Sequence, residues 1–168
     1  KWINTKDSHF SNAKIVNGKN MIVDTSVRDV LEYGLSNLRK SQTAVHWYNF
    51  LGHIFCNYIK EYEKKFNTIT NVEAINDIII LKYENSGFYN AHVDHGCSTP
   101  RSLSIITLLN NDYEGGELVF KSLDLKKDIL TVEVKPNRII IFPSNFMYPH
   151  TVKPVTKNVR YSIVSWAL

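Results

Sequence analysis

The triplet His92-Val93-Asp94 holds two metal-ligating side chains two residues apart. In a β-strand, residues i and i+2 project from the same face, so an imidazole and a carboxylate reach one point without a special turn. Two such groups hold a metal weakly, and a third ligand must come from elsewhere. His150, preceded by Pro149 and opening another apolar run, is the candidate. Two imidazoles and one carboxylate on one face of an octahedron leave the remaining positions open, which is the facial triad of non-haem Fe(II) oxygen chemistry. A solitary His-x-Asp is equally a plain surface pair, so the rest of the site has to decide between the two.

Arg160 starts the last apolar run of the chain. Strand alternation puts Arg160, Ser162, Val164 and Trp166 on one face and Tyr161, Ile163 and Ser165 on the other. A guanidinium and a hydroxyl on an inward face need something polar to meet. A planar oxyanion gripped by two parallel hydrogen bonds suits a buried arginine best. A dicarboxylate with one end on the metal would supply it, and an internal Arg–Asp salt bridge is the alternative. The other histidines carry less. His95 has the wrong parity to join His92, and His46 and His53 share a helix face with no carboxylate beside them. Cys97 follows Asp94 closely and is open to oxidation beside an oxidant source if exposed; a bystander loop thiol is the alternative.

These residues need elements to position them. Tyr48, Leu51, Phe55, Tyr58, Tyr62 and Phe66 recur at steps of three and four, which predicts an amphipathic helix over 44–66 with Thr43 as N-cap. After residue 75 the period changes to that of short strands, near 78–83, 89–94, 103–109, 117–120, 129–134, 138–142, 150–155 and 159–167, separated by Asn-, Gly- and Pro-containing turns. Eight short strands imply a sandwich or barrel of the jelly-roll or cupin kind. The helix must bury its stripe, and the outside of one sheet is the place. The expectation is therefore a mainly β, single-domain chain: 1–75 as strand and helix support, 76–168 as β-helix core.

The composition allows this and excludes other classes. The chain has 168 residues, 43% hydrophobic and 21% charged, which is ordinary for a globular domain. No apolar run approaches the roughly 18 residues of a membrane span. The first residues show no signal peptide, and two cysteines without a CxxC fit a reducing compartment, so the expected location is cytoplasmic. Net charge is +4, concentrated after residue 120. That reads as a solvated basic surface or as attraction for an acidic partner. Without aromatic interleaving it does not favour nucleic acid.

The ordered pieces Tyr83-Glu-Asn-Ser-Gly87-Phe-Tyr89-Asn-Ala-His92-Val-Asp94, Arg101-Ser-Leu-Ser104, Tyr113-Glu-Gly115-Gly116-Glu117-Leu, Phe142-Pro-Ser144, His150-x-Val152-x-Pro154 and Arg160-Tyr-Ser162-Ile-Val-Ser-Trp166 together resemble the prolyl 4-hydroxylase-like group of 2-oxoglutarate- and Fe(II)-dependent dioxygenases. The resemblance covers about residues 78–168. It implies a double-stranded β-helix with Fe(II) on His92, Asp94 and His150, and O2 and 2-oxoglutarate as co-substrates. It implies Arg160, with Ser162 and the Tyr83 hydroxyl, at 2-oxoglutarate, and Tyr89, Arg101 and Trp166 at a peptide substrate. It makes ascorbate a candidate reductant. The implied reaction hydroxylates a C–H bond, most naturally of a prolyl residue, and yields succinate and carbon dioxide. The carboxylate of Asp94 argues against halogenation, because related halogenases lack it. A free amino acid or other small molecule is the second substrate class. Trp166 stands where the nucleic-acid dealkylases repeat an arginine. A metal-binding cupin-like module is the reading from another class, and in it Arg160 and Tyr83 would have no oxo acid to meet.

Overall fold

The computed structural model describes residues 9–17, 20–36, 41–96 and 99–168. Fifteen strands and one helix run in the order β1 (Ser11–Asn12), β2 (Ile15–Asn17), β3 (Asn20–Ile22), β4 (Arg28–Asp29), β5 (Leu31–Gly34), α1 (Gln42–Phe66), β6 (Ile75–Tyr83), β7 (Phe88–His92), β8 (Leu103–Leu108), β9 (Glu114–Gly115), β10 (Leu118–Lys121), β11 (Asp128–Thr131), β12 (Arg138–Pro143), β13 (His150–Val152), β14 (Val155–Lys157) and β15 (Arg160–Ala167).

Two antiparallel sheets face each other. The larger has the order β1-β5-β6-β15-β8-β12 and the smaller β11-β10-β13-β7-β4. The apolar alternation of the larger sheet explains the layering. Leu81, Ile106, Leu108, Val164 and Trp166 point to the inter-sheet core, where Leu118, Val152 and Val155 meet them. Their strand neighbours Ile78, Ile80, Leu103, Ile105 and Ile163 point the other way and are buried with Phe55 and Ile59 of α1. This is the expected jelly roll with the helix outside one sheet.

Several local expectations need correction. Ser41, not Thr43, caps α1: its Oγ accepts from the Ala44 amide at 3.3 Å. Within the helix, Ile59 takes the inward position expected for Tyr58, because four residues on from Phe55 lies nearer the same face than three. Tyr58 is exposed, and Phe66 overhangs the end of the helix, its ring 4.8 Å from that of Tyr62. The expected strand 150–155 is split at Pro154, which cannot donate to a ladder, and β14 turns away to pair with β9. The segment before α1 does more than support: β4 extends the smaller sheet beside β7, and β5 pairs with β6 in the larger. Among the described residues no helix is long and apolar enough to cross a membrane.

Candidate metal centre

β7 and β13 are neighbours in the smaller sheet, and their register sets His92 directly opposite His150. The two rings lie 4.3 Å apart. Asp94 stands just past the end of β7, so the ladder does not orient it. Instead the amides of Asp94 and His95 both donate to the Ser144 carbonyl, at 3.2 and 2.9 Å. Asp94 Oδ1 then lies 3.5 Å from His92 Nε2, and its Oδ2 lies 3.7 Å from His150 Nε2. One ligand atom from each of the three residues falls within 4.8 Å of the others.

The chemistry of this donor set fits a divalent cation. His92 donates Nδ1–H to the Asn90 carbonyl at 2.8 Å, and His150 donates its own to the Tyr148 carbonyl at 3.0 Å. A carbonyl only accepts, so each neutral ring keeps its Nε2 lone pair for the interior, the tautomer that a metal ligand needs. Burial, with the nearby charge of His92, pushes His150 down to about 4, so it is neutral at ordinary pH. Burial by itself would raise the Asp94 carboxyl. Contact with His92, the pull of the His150 and His92 imidazoles once acid protonates them, and the Ser104 hydroxyl outweigh it and hold that carboxyl well below the usual range. The His150 nitrogen and the Asp94 oxygen are ready without proton loss. His95 takes no part: it lies outside the group of mutually close ligand atoms, and its Nδ1 bonds the Arg101 carbonyl at 2.9 Å. Cys97 lies outside the described residues.

A cavity of about 590 Å³ joins this triad to Arg160, Ser162, Tyr83 and Trp166. Arg160 is 1% exposed. Its Nη1 donates to Ser162 Oγ at 2.9 Å, its guanidinium carbon lies 4.8 Å from the centre of the Tyr83 ring, and its Nε has no partner. Among the described residues no carboxylate pairs with it, which removes the footing of the internal salt bridge. The sequence motif Gly115-Gly116 has a physical reason here. Both residues have positive φ, and a Cβ at Gly116 would meet Arg160 Cδ at 2.9 Å. The Tyr113 hydroxyl, buried beside the Arg160 guanidinium, was not singled out at this site from the sequence.

At the other side of the triad, Tyr89 stacks on His92 with ring centres 3.6 Å apart. Arg101 lies 3.5 Å over the Trp166 ring and donates to the Asp94 carbonyl at 3.3 Å. The three residues expected at the substrate thus border the same cavity. Sequence reasoning missed its remaining wall: Arg28, 4.7 Å over the Tyr89 ring, Glu32 and Asp77, with the β2–β3 hairpin beyond them. Burial pushes Glu32 up, against the pull of Arg28 and Lys14. No spacing pattern in residues 9–36 marks Arg28 or Glu32, and Asp77 precedes the expected strand 78–83.

A two-sheet β-helix that carries an inward His-Asp-His triad and a buried arginine defines the architecture of an oxygenase. Residues 78–168 match the profile of the 2OG-Fe(II) oxygenase superfamily, and the chain belongs to that superfamily. Fe(II), 2-oxoglutarate and O2 are its cofactor and co-substrates. A PKHD-type hydroxylase of Gloeothece citriformis is 30% identical over 107 residues, 60% of this chain and 46% of the relative. Prolyl 3-hydroxylase 2 of Homo sapiens is 38% identical over 68 residues, 40% of this chain and 10% of the relative. The chain therefore spans less than half the length of these curated relatives. A Trichoplax adhaerens prolyl hydroxylase, solved with a hypoxia-inducible factor peptide, superposes with a TM-score of 0.77 at 19% identity, covering 99% of this chain and 74% of that one. A Pseudomonas putida prolyl-4-hydroxylase gives 0.71 at 19% identity, covering 98% and 81%. At that identity the two structures speak to the fold.

Proposed function

We propose that the protein hydroxylates a C–H bond of a residue within a peptide or protein, a prolyl residue first among them. His92, Asp94 and His150 hold Fe(II), and Arg160, Ser162 and Tyr83 receive the distal carboxylate of 2-oxoglutarate. When bound, the iron with O2 and 2-oxoglutarate supplies C–H oxidation coupled to formation of succinate and carbon dioxide. The protein's own part is orientation. The two Nδ1 hydrogen bonds lock the imidazoles, Arg160 fixes the far end of the oxo acid, and the apolar walls of Val152, Val164 and Ile106 exclude water between them. Tyr89, Arg101 and Trp166 present flat apolar and cationic surfaces to the peptide beside the triad.

The observation that carries this reading is Arg160. A guanidinium almost fully removed from water, with an unused Nε–H and no carboxylate partner, is costly unless a ligand supplies the anion. It sits in the same cavity as His92, Asp94 and His150. The substrate half of the proposal draws on the relatives that are named prolyl hydroxylases.

The test is succinate formation from 2-oxoglutarate with Fe(II), across proline-containing peptides and free amino acids including proline. Peptide-stimulated succinate with a matching 16 Da gain on the peptide supports the reading. Stimulation by a free amino acid alone moves the substrate to a small molecule. Arg101→Ala should raise the KM for peptide far more than it lowers kcat.

A further inference from the structure

Asp94 is the one triad member that no strand ladder holds, and its side chain depends on two buried serines. Ser104 Oγ donates to Asp94 Oδ2 at 2.6 Å. Ser104 and Ser144 hydroxyls lie 2.7 Å apart, and their residues are 0% and 1% exposed. A hydroxyl has one proton, and Ser104 spends its own on the carboxylate. Ser144 must therefore donate to Ser104, which gives a one-way chain from Ser144 to Ser104 to Asp94 Oδ2. The same Ser144 accepts the amides of Asp94 and His95 on its carbonyl, and its own amide donates to the Ser102 carbonyl at 3.0 Å. Ser144 thus holds the ligand twice, by the main chain and, through Ser104, by the carboxylate.

Each end of the device is anchored in the larger sheet. Ser104 lies in β8, paired with Phe142 of β12 and Trp166 of β15. Ser144 follows β12 directly. The smaller sheet thus supplies both imidazoles, while the larger sheet sets the aim of the carboxylate across the gap.

From this geometry we infer that Ser104 and Ser144 are positioning residues for the metal ligand Asp94; the inference rests on the proposed metal site. A short hydrogen bond from a buried hydroxyl to a carboxylate is charge-assisted, and a second hydroxyl behind it polarises and strengthens it. With one lone pair of Oδ2 so occupied, Oδ1 is the freer oxygen, and Asp94 is held to bind through one oxygen. Hydrogen-bond partners of metal ligands typically contribute about 10–100-fold in metal affinity.

The experiment titrates Co(II), a spectroscopic probe for the site, into metal-free protein without oxo acid or peptide, and follows its visible absorption. Wild type and the variants Ser104→Ala, Ser144→Ala and Ser165→Ala are compared. Ser165 is a matched control, 0% exposed, on the helix-side face, with its hydroxyl on the Asp77 carbonyl at 2.6 Å. The expected result is a graded loss of Co(II) affinity: about 10–100-fold for Ser104→Ala, a few-fold for Ser144→Ala and none for Ser165→Ala. The Ser104→Ala spectrum should also change shape as the carboxylate turns to bind through both oxygens. If Ser104→Ala fails to fold, the Ser144→Ala loss decides. Equal Co(II) affinity in wild type and both relay variants overturns the positioning role and leaves the metal site standing. Failure of wild type itself to bind Co(II) overturns the metal site and the relay with it.

Discussion

Replacing Arg160 with leucine separates the oxo-acid account from a merely structural one. The guanidinium is 1% exposed, donates to the Ser162 hydroxyl, and lies against the Tyr83 ring and beside the Tyr113 hydroxyl, with Nε unused. In the metal-free, ligand-free protein it is a buried cation without an anion among the described residues, so leucine, shorter but apolar, should leave that state about as stable or more so. Binding reverses the balance. A ligand present at 100 times its dissociation constant adds about 2.7 kcal/mol to stability. For a domain of this size that is a rise in Tm of roughly 5–10 °C. Truncating one partner of a buried, hydrogen-bonded charge pair costs about 2–5 kcal/mol, enough to remove most or all of that rise. The assay is a thermal melt with Zn(II), which occupies the site without redox chemistry, with and without 2-oxoglutarate. Wild type should show the rise and Arg160→Leu should not. Pyruvate keeps the chelating oxo acid and lacks the distal carboxylate, so it should stabilise the two proteins equally little. A full 2-oxoglutarate shift in Arg160→Leu would refute the assignment.

The triad makes a register prediction: alanine at His92, Asp94 or His150 abolishes anaerobic Fe(II) binding, whereas His95→Ala, at a residue outside the group of close ligand atoms, retains it. Acid should destabilise the metal-free protein in two steps. His150 falls from 6.5 unfolded to about 4 folded, so the unfolded state takes up the proton first; stability present above pH 6.5 is lost on the way to pH 4, by about 3 kcal/mol. Asp94, held low in the fold, adds a further loss below its unfolded value of 3.8. Urea midpoints at pH 7, 5.5 and 4.5 measure the first step, and His150→Leu should flatten it. Gly116→Ala places a methyl 2.9 Å from Arg160 Cδ and 2.8 Å from Val155 Cγ2 at φ +66. The strained backbone alone costs about 1–2 kcal/mol, and the displaced guanidinium should weaken 2-oxoglutarate binding about tenfold in the same melt assay.

The sequence made the chemistry more legible than the architecture around it. His92, Asp94, His150 and Arg160 stood out because polar ligands are rare on apolar, alternating strands, and their order and spacing matched a known set. The long helix was legible from its period, although its cap and its Tyr58 position were not, since both depend on where the sheet meets it. The strands before α1 escaped because runs of two to four residues carry no period to detect. Pairing partners far along the chain create them: β4 exists beside β7, and β5 beside β6. Arg28 and Glu32 were missed for the same reason, and Asp77 because β6 begins at Ile75, ahead of the apolar run that marks it. Strand parity accounts for His92 but not for Asp94, because β7 ends at His92 and the Ser144 carbonyl, not the ladder, places Asp94.

One measurement addresses the central claim that the triad and Arg160 form a single site for iron and an oxo acid. Fe(II)-loaded protein is titrated with 2-oxoglutarate under nitrogen, and the visible spectrum is followed. The account predicts a saturable metal-to-ligand charge-transfer band in wild type, absent in His150→Ala and requiring far more 2-oxoglutarate in Arg160→Leu. Iron binding with no such band in wild type would contradict it and leave a metal-binding module in place of the oxygenase.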